Sequence, residues 1–237
     1  MRKLARCAPA TLALALLVSS PATLAQGMSH GDASRVAAHA KRCRAPKHHK
    51  VLVNTHDLVM WSVERHSGQF EEEFVETLFA CVPPRGRTHI IGAAGQGPAV
   101  QEGSSVSFKS AGSFVAVDEE AGNSVGFTEA LTLHDARDGR TTEIVSFAGE
   151  NSPLPIPAPE SLKALGPPVG VGIREYAVDA NGDVAWVGYS AAAAGKAGVR
   201  VLYVDDARGI HRVAATTTLE LVGFRRGQVR WTESARA

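Results

Sequence analysis

Four stretches of this chain repeat one plan: a short apolar strand, a polar or glycine turn, and a second strand with an aromatic residue or a valine at a fixed place. They run from Val51-Leu52-Val53 to Leu58-Val59-Met60-Trp61, and from Val106-Ser107-Phe108 to Phe114-Val115-Ala116-Val117. The third and fourth run from Tyr176-Ala177-Val178 to Val184-Ala185-Trp186, and from Leu219-Glu220-Leu221 to Gln228-Val229-Arg230-Trp231. Trp61, Val117, Trp186 and Trp231 are the matching positions, spaced 56, 69 and 45 residues apart because the loops between them differ in length. Apolar and polar residues alternate with period two, as half-buried strands require. Asn181-Gly182 predicts a type I′ turn, which needs positive φ.

A second hairpin follows each of the first three. It joins Leu78–Cys81 to His89–Ile91, Leu131–Asp135 to Glu143–Val145, and Val201–Asp206 to His211–Val213. The expected fold class is therefore all-β, built of antiparallel four-stranded repeats over residues 50–237. The units cover about 50–92, 105–148, 171–216 and 218–234, the last being half a unit. Such tandem meanders are what a β-propeller is made of. The chain resembles secreted propeller-like repeat proteins, in the broad neighbourhood of WD-repeat (WD40-like) and TolB-like blades. The resemblance spans about residues 50–233. It rests on "GSFVAV" and "GDVAWV" in the first hairpins and on "LHDARDGRTTEIV" and "VDDARGIHRVA" in the second. The Gly-His and Trp-Asp pairs of WD repeats are absent. What the resemblance implies is a partial propeller, a four-bladed ring with a thin last blade, or a curved sandwich. The three tryptophans are expected to be mostly buried between sheets.

The N-terminus reads as a secretory signal over residues 1–25: Met1-Arg2-Lys3 and Arg6 are cationic, Ala8 to Val18 is apolar, and small residues follow. Thr23 and Ala25 suit cleavage before Gln26. An apolar run of about 11 residues is shorter than the roughly 20 that a membrane span needs, so the expected location is secreted or periplasmic, with no membrane span. Cys7 leaves with the signal, and Cys43 and Cys81 enter an oxidising compartment, where such a pair is expected to form a disulfide. Residues 26–49 form an N-terminal arm, with a short helix expected over Ala33 to Lys41 and a solvated basic patch around Lys41, Arg42, Arg44, Lys47 and Lys50. Residues 151–168 alternate prolines and read as a stiff linker in the polyproline II conformation. Gly92 to Ser105 and Ala191 to Gly198 read as small-residue loops.

The site reading is mostly negative. With 25 Lys and Arg against 24 Asp and Glu, interspersed along the chain, there is no nucleic-acid footprint. Nine histidines show no ligand spacing, and His48-His49 would point to opposite faces of a strand. Asp179-Ala180-Asn181-Gly182-Asp183 begins like a calcium loop, but Ser190 stands where the twelfth-position glutamate belongs. Gly-x-Gly-x-x-Gly does not occur. No catalytic, cofactor or metal residue is assigned. The expectation is an exported binding or scaffold module for a protein or glycan. The alternative is a secreted hydrolase or lyase in which His56, His134, Asp135, Asp179 and Asp205 converge near a propeller axis.

Overall fold

The computed structural model describes residues 43–66, 74–84, 86–96, 103–123, 126–148, 172–189 and 199–233. The signal peptide expected over residues 1–25, the helix expected over Ala33 to Lys41, the linker expected over 151–168 and the loop expected from Ala191 to Gly198 lie outside the described residues.

Fourteen antiparallel strands form the fold, with no helix among the described residues. The first meander comprises β1 (Lys50–Asn54), β2 (Val59–His66), β3 (Phe74–Cys81) and β4 (His89–Gln96). The second comprises β5 (Ser104–Ala111), β6 (Phe114–Asn123), β7 (Gly126–Asp135) and β8 (Arg140–Ala148). The third comprises β9 (Gly172–Val178), β10 (Val184–Tyr189), β11 (Arg200–Asp206) and β12 (Gly209–Thr216), and a terminal hairpin pairs β13 (Leu219–Arg225) with β14 (Gln228–Glu233). β1 to β8 count as one eight-stranded sheet, but β4 and β5 share a single bridge, Gly95 to Ser104. Residues 92–96 belong to β4 rather than to the loop expected after Ile91. Small side chains there leave the strand's register to backbone pairing with β3.

Period-two alternation gives each meander two apolar faces, and these faces define the packing. Leu58, Met60, Leu78 and Ile91 of the first meander pack on Val115 and Val117 of the second. The opposite face of the second, with Ala116, Leu131, Ile144 and Val145, meets Val184, Trp186, Val201 and Tyr203 of the third. The far face of the third, with Ala185, Val187, Leu202 and Val204, takes the terminal hairpin through Leu219, Leu221, Phe224 and Val229. Sheets thus succeed one another in chain order.

A stack of sheets leaves two end faces to be covered. On the first meander, Val59, Trp61, Val63 and Phe79 are covered by the segment beginning at Cys43, which a disulfide to Cys81 ties down with its Cα atoms 5.5 Å apart. The sequence-based pairing of these cysteines is correct. At the other end, among the described residues, two strands, β13 and β14, cover the third meander.

Because consecutive strands reverse direction, the turns β1–β2, β3–β4, β5–β6, β7–β8, β9–β10, β11–β12 and β13–β14 fall at one end of their sheets, and the connections β2–β3, β6–β7 and β10–β11 at the other. In the β9–β10 turn Gly182 sits against the Phe114 ring, where a Cβ would come within 2.9 Å, and its φ is 89°. The turn at Asn181-Gly182 is not type I′: of the two, only Gly182 has positive φ, and Gly182 N–H donates to Asp179 O over 3.1 Å. The type I′ pattern falls instead at Arg226 and Gly227, with φ of 53° and 71°.

Candidate functional site

Trp61 and Trp186 are fully buried, and each stacks on a ring directly across from it in the next strand. Trp61 lies 5.7 Å from Phe79, and Trp186 lies 5.4 Å from Tyr203. Trp231 departs from the expectation: it remains 38% exposed. It stands opposite Leu221 of β13, and the described residues supply no strand on its other side.

Beside Trp231 opens a cleft of about 600 Å³ between the third meander and the terminal hairpin. Its floor is apolar, with Val204, Val213, Phe224 and Val229, and its rim carries Asp183, Asp206, Arg208, His211, Arg212 and Arg230. Asp206 is engaged by Arg208, whose Nη2 donates to Oδ2 over 2.6 Å, and this bond holds the Asp206 carboxyl down at about 2. Asp183 shifts the other way: desolvation and the neighbouring Asp179, Asp206 and Asp205 push it up. The cleft can therefore offer an aromatic face, guanidinium donors and an apolar floor.

The five residues proposed to converge are mostly occupied where they stand. His56 is exposed on the first turn and pairs with Asp57 at 3.0 Å. His134 is buried, bonded through both ring nitrogens to Thr132 and Thr141 at 3.0 Å each, and burial pushes it down to about 4, so it is neutral. Asp135 accepts from Arg137 through both oxygens, which holds its carboxyl below the usual range. Asp179 accepts the N–H groups of Asn181 and Asp183 at 2.8 and 3.1 Å, spending its oxygens on the turn that imitated a calcium loop. Asp205, one residue before the end of β11, is raised by desolvation and by Asp206. No group of three or more His, Cys, Asp or Glu suited to a metal occurs among the described residues. Arg44, Lys47 and Lys50 of the basic patch are exposed.

The sequence reading missed a carboxylate cluster between the second and third meanders. Asp118 and Glu120 on β6 and Glu129 on β7 share the face turned to the third meander, with Asp118 beside Ser107 and Glu120 beside Glu129 in register. Glu129 is buried and accepts the Ile173 N–H at 2.9 Å; desolvation, then the Asp118 and Glu120 charges, raise it to about 7. Desolvation, with Glu120 and Glu119 beside it, lifts Asp118 to about 6. Tyr176 of the third meander shares a 2.6 Å hydrogen bond with Ser107 and is pushed up to about 12, mainly by burial. Carboxylates bridge the other junctions too: Ala93 N–H donates to Glu119 at 3.2 Å, and Leu221 N–H donates to Glu175. A glutamate in register with the apolar Phe127 and Leu131 side of the strand, in Phe127-Thr128-Glu129-Ala130-Leu131, was the available signal. The cluster's chemistry is that of sheet-to-sheet stitching, since Glu129 already holds a backbone donor.

No family model matches this chain, and neither a curated protein nor a solved structure matches it significantly.

Proposed function

We propose that this protein is an exported, propeller-like binding module that holds its ligand in the cleft between the third meander and the terminal hairpin. The observation that carries this reading is Trp231. It is the one tryptophan of three left exposed, and it stands beside an apolar floor rimmed by arginines. A half-exposed aromatic among donors is the usual anchor of a recognition surface.

The propeller-like build is supported by four antiparallel units packed face to face in chain order. Export is supported by the signal-like N-terminus and by the Cys43–Cys81 bridge, which needs an oxidising compartment. No helix among the described residues is long and apolar enough to cross a membrane.

The test screens the mature protein, starting at Gln26, against immobilised peptide and glycan panels. At least one ligand class should be retained by the wild type and lost on Trp231→Ala combined with Arg212→Glu. Panels that yield nothing, or hits indifferent to both substitutions, would refute the reading.

A further inference from the structure

In the three complete meanders the second strand lies between two neighbours, β1 and β3, β5 and β7, or β9 and β11. β14 is the second strand of the terminal hairpin, and among the described residues only β13 pairs with it. The cleft lies along its open edge, over β11 and β12 of the third meander. In the second meander the corresponding strands bury Leu131, Ile144 and Val145 against their neighbour. In the third meander Leu202 and Val204 of β11 are buried, but Val213 and Ala214 of β12 are only half-buried. The cleft therefore has the shape of a place for one more strand.

The chemistry of that strand can be read from its counterparts. Trp61 and Trp186 are each shielded by a ring from the third strand, Phe79 and Tyr203, in stacked geometry with interplanar angles of 12° and 22°. Among the described residues no such ring stacks on Trp231, which is exposed. β11 continues past its ring into Asp205 and Asp206 at the turn end. The cleft is also lined by Arg212, opposite Tyr203 in register, and by Arg230, whose Nη2 donates to Gln228 Oε1 over 3.3 Å, whereas Arg208 is committed to Asp206.

Resting on the binding role proposed above, we infer that the ligand is an extended peptide segment of another protein that adds to β14 as a third strand. It sets an aromatic residue against Trp231 and carboxylates toward Arg212 and Arg230. This is β-augmentation, in which main-chain hydrogen bonds supply affinity and alternate side chains supply specificity.

The edge is in the right state to accept it. The two-residue turn at Arg226-Gly227 makes Arg225–Gln228 the closing hydrogen-bonded pair. By alternation along β14, Gln228, Arg230 and Thr232 bond inward to β13. Val229, Trp231 and Glu233 direct their N–H and C=O outward. Their side chains share the face turned to the third meander, so an added strand gains hydrogen bonds and apolar floor at once. A second copy of this chain does not fit. Antiparallel pairing of two β14 edges places the two-fold axis perpendicular to the hairpin. Both third meanders would then fall on the same face and overlap.

The test uses the mature protein and a capped synthetic heptapeptide with the sequence of β11, Arg-Val-Leu-Tyr-Val-Asp-Asp. Binding is followed by tryptophan-selective fluorescence, in which Trp231, exposed beforehand, should shift to the blue while Trp61 and Trp186 stay silent. Saturable binding is expected. Replacing the peptide tyrosine by alanine, or methylating its backbone nitrogen, should weaken binding by about tenfold, roughly one strong contact. Methylating the neighbouring leucine nitrogen, which faces away from β14, should leave it unchanged. Val229→Pro removes an outward donor at an edge position where proline is tolerated and should also weaken binding about tenfold. The wild-type protein with the methylated peptides decides the matter if that variant fails to fold. No saturable shift, or equal affinity for all peptides, overturns the inference. A glycan or peptide from the panels that needs Trp231 but ignores Val229→Pro would overturn strand addition while leaving the cleft as the binding site.

Discussion

Replacing Glu129 by glutamine should reveal two opposing proton equilibria inside the fold. Glu129 is raised from 4.5 to about 7, chiefly by desolvation, so its ionisation costs more in the folded protein than in the unfolded chain. A carboxyl raised on folding lends stability that is complete below about pH 4.5 and lost as pH rises through about 7. At about 1.4 kcal/mol per pH unit, the loss approaches about 3 kcal/mol. His134 acts in the opposite sense. Lowered from 6.5 to about 4 by burial, it leaves stability complete above about 6.5 and lost as pH falls toward 4. The two slopes oppose each other in the wild type between about pH 4.5 and 6.5, with Asp118 adding to the acidic term. Glutamine keeps an oxygen for the Ile173 N–H but does not ionise. Urea unfolding followed by the buried tryptophans, on both proteins across this range, measures the difference. The variant's advantage should grow by about 2–3 kcal/mol from acid to mildly alkaline pH, while Asp118, still raised to about 6, continues to offset His134 in the variant over about pH 4–6. A pH-independent difference between the two proteins would refute the assigned burial cost.

Other perturbations follow from the packing. Trp61→Ala or Trp186→Ala, each removing a fully buried stacked ring, should cost about 3–5 kcal/mol in chemical denaturation, whereas Trp231→Ala should cost less than about 1.5 kcal/mol. Reducing the Cys43–Cys81 bridge, which closes a separation of 38 residues, should lower stability by about 4 kcal/mol, and the segment at Cys43 should become sensitive to proteolysis. Gly182→Ala, at φ 89° and against the Phe114 ring, should cost about 1–3 kcal/mol in a thermal melt.

The hairpins were legible because their cause is local. Short apolar runs such as Leu58–Trp61 and Val184–Trp186, bounded by polar turns, suffice for antiparallel pairing of neighbours. The cysteine pair was legible because only two cysteines, Cys43 and Cys81, follow the signal-like segment, which leaves few alternatives. Turn type was less so. Asn181-Gly182 suggested a type I′ turn, but Asp179 accepts the N–H groups of Asn181 and Asp183 and redirects the chain, an effect of one side chain on its neighbours. The Asp118 and Glu129 cluster was hidden because charge in a strand looks solvent-facing until a second sheet is known to cover it.

The sequence by itself determined the strands, their antiparallel neighbours and the apolar faces they present, because these depend on residues a few positions apart. It placed Trp61, Trp186 and Trp231 in one pattern and could not tell them apart. Only the tertiary structure separated them. A ring is buried by what lies across it, and that is set by pairings between strands and packing between sheets distant in the chain. Phe79 and Tyr203 cover two of the tryptophans. β14 has no third strand beside it among the described residues, so the same residue type that makes core in two meanders makes a surface in the last.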